Sequence, residues 1–123
     1  MSVAHNVFAI SPAIRYLAVG RGQDVTLWER PDLEDASSGE SDRYEELLVN
    51  PTLLTLLGQR GEIDCGGLDY VVVAYGNFFQ LVLAFAGGHA SVAIERSADP
   101  FELVEPIRTA LRTAARGTWT IRG

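Results

Sequence analysis

The chain has 123 residues, 47% hydrophobic and 21% charged, which is long enough to bury roughly two-thirds of its unfolded surface in one core and too apolar for intrinsic disorder. Its net charge is -6, with ten arginines and no lysine, and an acidic balance repels phosphate backbones and anionic bilayers, so neither nucleic acid nor a membrane surface is an expected partner. The lone Cys65 has no intramolecular disulfide partner, and the stretch from Met1 to Val7 carries neither a basic residue nor a long apolar run, so a cytoplasmic setting is expected.

In chain order, Ile10 to Val19 and Gln23 to Arg30 read as a first strand pair around Gly20-Arg21-Gly22, with Pro12 at the strand's start, where a missing N–H is tolerated. Residues 29–46 then concentrate eight of the sixteen acids against two arginines. That composition predicts an acidic, mobile surface loop, because it offers too little apolar area to offset its ordering entropy. Tyr44 to Val49 restarts helical spacing. From Asn50, a residue that can cap, and Pro51, which suits a first helical position, a short helix is predicted with Gly61 as its left-handed exit. Its leucines Leu53, Leu54, Leu56 and Leu57 surround most of the cylinder, so more than one side needs covering.

Residues 68–96 form the clearest pattern. Three runs rich in Val, Ala, Leu and Phe are separated by Gly76-Asn77 and Gly87-Gly88, and glycine turns of this kind demand an antiparallel meander. The final helix opens on Asp99-Pro100-Phe101-Glu102, a capping-box arrangement. It then places Leu103, Val104, Ile107, Leu111 and Ala114 on one face and Arg108, Arg112 and Arg116 on another. Pro106 interrupts it, and a kink or a short first turn is expected there. The tail from Thr118 to Ile121 is apolar enough to dock on the body. The whole predicts one α+β domain over 1–123, with a single five-stranded antiparallel sheet in the order β-β-α-β-β-β-α.

Residues able to do chemistry are scarce. His5 and His89 lie far apart and Cys65 stands alone, so no metal set has zinc-like spacing, and His89, following a glycine turn, reads as a satisfied surface histidine. Cys65 is expected to pack at a loop edge, since its acidic neighbours Glu62 and Asp64 work against an activated nucleophile. Ser91 sits mid-strand without a nucleophile-elbow motif. The glycine pairs match no phosphate-binding loop. Paired carboxylates for acid–base work need burial, whereas the acids here fall in loops, at caps or beside arginine; Asp64 and Asp69 read as turn-forming residues. No enzyme activity, metal or cofactor is expected. The stripe Arg108-Arg112-Arg116 is the one exposed constellation with a job available, either complementing the helix dipole or docking an acidic partner.

The order of elements, with Leu53-Leu54-Thr55-Leu56-Leu57-Gly58 before a Gly-Gly loop and then Asp69 to Val82, resembles the roadblock/LC7 family of profilin-like folds over about residues 13–116. The resemblance implies a non-catalytic adaptor or regulator, dimeric, with a small Ras-like GTPase as one class of partner. It assigns dimer contacts to Leu53, Leu54, Leu56 and Leu57 and to the strand carrying Tyr70, Val72 and Tyr75. Two features depart from the family pattern: only Val3 to Ala9 is available for a helix before the first strand, and the acidic insertion is long. A secretion-chaperone-like adaptor and a ligand-sensing profilin-like domain compete with this reading; the latter needs an apolar cavity within the sheet's concave face.

Overall fold

The computed structural model describes residues 3–31, 33 and 36–115, with side chains up to residue 113. Its elements are α1 (Val3–Phe8), β1 (Ile14–Arg21), β2 (Asp24–Glu29), α2 (Gly39–Tyr44), a π-helical turn (Glu45–Val49), α3 (Asn50–Asp64), β3 (Val71–Ala74), β4 (Phe78–Phe85), β5 (Gly88–Glu95) and α4 (Pro100–Ala115). The strands form one antiparallel sheet in the order β2-β1-β5-β4-β3. The α+β class, the single five-stranded sheet and the order of its strands along the chain are as the sequence predicts.

Side chains alternate across a strand, and β5 shows what that does here. Ala90, Val92 and Ile94 face one side, where they join Leu17, Leu81 and Leu83 against Ile107 and Leu111 of α4 and Val7 of α1, the main apolar core. Ala93 faces the other side with Tyr16 and Ala18, and its neighbours there, His89 and Ser91, are polar and buried. One face is thus closed by α1 and α4 with apolar packing, aliphatic for the most part but including Phe85. The other face is closed differently.

Turn chemistry differs in detail from the reading of the sequence. The first hairpin closes between Arg21 and Asp24, with Gly22 at φ 60°, so β1 runs through Gly20. The β4–β5 turn falls on Ala86-Gly87, with Gly87 at φ 84°, while Gly76 is not among the glycines in the left-handed region. Asp99 caps α4, its Oδ1 accepting from Phe101 N at 2.9 Å. The helix runs through Pro106 as one element, at a position exposed to solvent, rather than restarting at Glu105. The predicted docking of Thr118 to Ile121 lies outside the described residues.

Three expectations for the middle of the chain are corrected. Residues 39–46 are helical, not loop, with Ser38 as N-cap accepting from Ser41 N. Asn50 does not cap α3, because the π turn leads straight into it; the Asn50 N–H donates to Glu45 O, five residues back. Pro51 supplies a reason for that wide turn: without an N–H it can return no bond to Leu47 O, so the ladder is already broken there. Gly61 is buried within α3 rather than ending it, and the left-handed exit is taken by Gly66 and Gly67 at φ 80° and 89°.

Candidate functional site

The π turn matters for one side chain. Glu46 is 0% exposed and enters the polar face of the sheet. Its Oε1 meets His89 Nε2 at 2.8 Å and accepts from Asn50 Nδ2 at 2.9 Å. Its Oε2 accepts from Ser91 Oγ at 2.6 Å and from the Tyr16 hydroxyl. Gln80, 1% exposed, closes the set by donating to Ser91 Oγ and, at 3.4 Å, to Tyr16. Four donors around one buried carboxylate are what a desolvated charge requires. Burial alone would raise the Glu46 pKa, but the bonds from His89, Ser91, Tyr16 and Asn50 together hold it below the usual glutamate value. Tyr16 is pushed the other way, by burial and then by the Glu46 charge, and stays protonated. Asn50 Oδ1 is buried with no described partner.

Two further acids of the same segment are held at the edge of this cluster. Glu45 accepts from the Tyr75 hydroxyl at 3.0 and 3.1 Å, tying the π turn to the end of β3. Burial raises its pKa, and the charges of Glu46 and Asp42 add to that against the Tyr75 bond. Asp42 is buried and accepts from Ser37; its pKa is raised by burial first and by Glu46 second. Tyr75 is pushed up to about 12 by burial and by Glu45.

The cluster overturns two readings of the sequence. His89 is 5% exposed, not a surface histidine, and Glu46 is a buried acid outside any loop. A signal was available: Gln80 and Ser91 lie at inward positions of otherwise apolar strands, and inward polar residues need a partner. What was missing was the register of residues 42–46. The arrangement does not form a catalytic triad, because Ser91 and His89 both bond Glu46 rather than each other. Among the described residues, no group of three or more His, Cys, Asp or Glu is placed to hold a metal.

The residues assigned by resemblance to a dimer contact divide into two sets. Leu53 and Leu54 are half-buried, Leu56 is 59% exposed and Leu57 is exposed, joined on the surface by Leu48 and by Ile63 at 75%. Tyr70 and Val72 instead pack against the main core, Tyr70 also meeting Phe101 ring to ring, and the Tyr75 hydroxyl is taken by Glu45. β3 has only β4 as a neighbour, so its outer backbone edge is what it can offer a partner.

The arginine stripe is not an exposed constellation. Arg108 is 8% exposed, donating to Asp69 at 2.7 Å and to Glu105 at 3.2 Å; it joins α4 to the start of β3. Arg112 is exposed but engaged in an interaction of its own, and Arg116 lies outside the described residues. Cys65 is exposed at the end of α3 instead of packed, its Sγ donating to Asp64 Oδ1 at 3.3 Å.

A five-stranded antiparallel sheet in the order β2-β1-β5-β4-β3, with a helical connector across one face and a terminal helix on the other, is a roadblock/LC7-like fold. The chain is similar to a roadblock/LC7 domain from Streptomyces avermitilis, with a TM-score of 0.72 at 16% identity, covering 93% of this chain and 92% of that one. It is similar to an MglB in a tetrameric arrangement, with a TM-score of 0.72 at 13% identity and coverage of 93% and 83%. A third likeness is to the gliding protein MglB from Thermus thermophilus, with a TM-score of 0.66 at 15% identity and coverage of 93% and 84%. No family model matches the sequence, and no curated protein matches it. No described helix is long and apolar enough to cross a membrane.

Proposed function

We propose that the chain is a non-catalytic adaptor or regulatory domain that works as a homodimer, with a small Ras-like GTPase as the class of folded partner it engages. The observation that carries the reading is the run of large apolar groups left uncovered along one helical connector: Leu48, Leu56, Leu57 and Ile63. Scattered exposed leucines need no explanation, but several along one continuous helical stretch mark an interaction face. The open edge of β3 lends support, since an unpaired edge is a template for another strand. The roadblock-like fold agrees with both. The GTPase is the partner class implied by the family resemblance.

Light scattering on the purified chain tests the dimer. A mass of two chains at micromolar concentration is expected, with Leu56→Glu and Ile63→Glu together giving a folded monomer. A wild-type chain that stays monomeric at those concentrations sinks the reading.

A further inference from the structure

Where α3 begins, an open cleft of about 290 Å³ lies between its first turns and the ends of two hairpins. Pro51 and Leu54 form one wall; Ala84, Phe85, Gly88 and His89 form much of the other. The volume is near the lower end for small-molecule sites. Glycine makes part of the space, since a Cβ at Gly20 would stand 2.7 Å from His89 Cε1.

His89 gives the cleft its chemistry. The residue is buried, yet it belongs to the cleft lining. Its Nε2 is engaged with Glu46 at 2.8 Å, and a carboxylate can only accept, so Nε2 carries the N–H and a neutral ring presents Nδ1 as an acceptor. Nδ1 has no hydrogen-bond partner among the described residues, and it is not among the fully buried orphan atoms, of which Asn50 Oδ1 is the one described. The nitrogen lies on the Gly20 side of the ring, 3.1 Å from where a Cβ of that residue would stand, at a wall that mixes apolar side chains with Thr55 and backbone polar groups. No residue lining the cleft is an acid or an arginine, and the Glu46 carboxylate behind the ring disfavours an anion.

We propose that this cleft binds a small neutral molecule with an apolar body and one N–H or O–H group, which donates to His89 Nδ1. The ligand's body lies between Leu54 and Ala84, which pairs with His89 across the sheet. Because His89 also bonds Glu46, occupancy reaches the π turn and, through Glu45 and Tyr75, the end of β3.

Indole, an apolar ring with a single N–H, is the probe, and 1-methylindole is its counterpart without the donor. Titration of the full ¹⁵N-labelled chain should give saturable shifts at Ala84, Phe85, Gly88 and the His89 ring nitrogens. 1-Methylindole should bind about tenfold more weakly, as the loss of one hydrogen bond predicts, and Ala84→Leu, which fills the cleft, should abolish the indole shifts. The probe pair uses the unaltered chain, so the test stands whether or not a variant folds. Three results would overturn the proposal: no saturation at millimolar indole, equal binding of both probes, or His89 signals that respond to protein dilution and not to probe, which would assign the cleft to a second copy. Each can occur whether or not light scattering finds a dimer.

Discussion

Glu46 shows how a single side chain can decide the way a helix sits on a sheet. Its oxygens receive His89, Asn50, Ser91 and Tyr16, and each of those donors would be left buried without an acceptor if the carboxylate were removed. Breaking a buried charged network costs more than the network's net worth, because the remaining partners keep their desolvation penalty. Glu46→Ala is expected to destabilise the chain by about 3–5 kcal/mol in urea unfolding. Glu46→Gln should cost less, about 1–3 kcal/mol: its carbonyl oxygen still accepts from two of the four donors, while its amide no longer accepts from Ser91 and Tyr16, whose hydroxyls already accept from Gln80. Equal losses for both variants would mean that the carboxylate charge itself, and neither the size of the side chain nor its remaining acceptor, holds the segment.

At the scale of the element, α3 sets two glycines side by side with opposite expectations. Gly58 lies inside the helix with open space where a Cβ would be, so it contributes only backbone entropy to the unfolded state. Gly58→Ala should stabilise by about 0.5–1 kcal/mol. Gly61 carries the returning chain: a Cβ there would come 2.9 Å from Gly67 C and 3.0 Å from Leu68 N, backbone that cannot swing aside. Gly61→Ala should therefore cost about 1–3 kcal/mol, and thermal melts of the two variants should move in opposite directions. The sequence showed a glycine at each position but not which one another segment crosses, because close approach between distant backbones leaves no local trace. The meander and α4 were legible for the opposite reason. Their apolar residues recur at the period of the element itself, as in Ala90, Val92 and Ile94 or in Val104, Ile107 and Leu111. Residues 39–46 failed that test, since Asp42, Glu45 and Glu46 look solvated until the sheet supplies Tyr16, His89 and Ser91 as partners. Arg108 is a like case: in the sequence it looks like one of a stripe, and only the fold brings Asp69 to it.

For the molecule as a whole, the three acids of the connector pull stability in opposite directions along the pH axis. Glu46, held low in the folded state, contributes stability that is present above the unfolded glutamate value of about 4.3 and is lost as pH falls through its lower folded value. Asp42 and Glu45 are held high, so the folded state keeps their protons longer than the unfolded chain does. Stability then declines as pH rises from their unfolded values through their folded ones, and the cost persists once both are ionised. A chain of net charge -6 adds self-repulsion of the same sign as its acids ionise. Urea unfolding across a pH series should accordingly show a maximum on the acid side of neutrality, with a decline below it owed to Glu46 and a decline above it owed in part to Asp42 and Glu45. The paired change Asp42→Asn and Glu45→Gln keeps an acceptor for Ser37 and for Tyr75 while removing both charges. It should shrink the decline between the maximum and pH 7 by at least half and leave the acid limb where it was. A variant profile running parallel to the wild type would show that these carboxylates do not set the neutral limb, and that the charge carried by the rest of the molecule does.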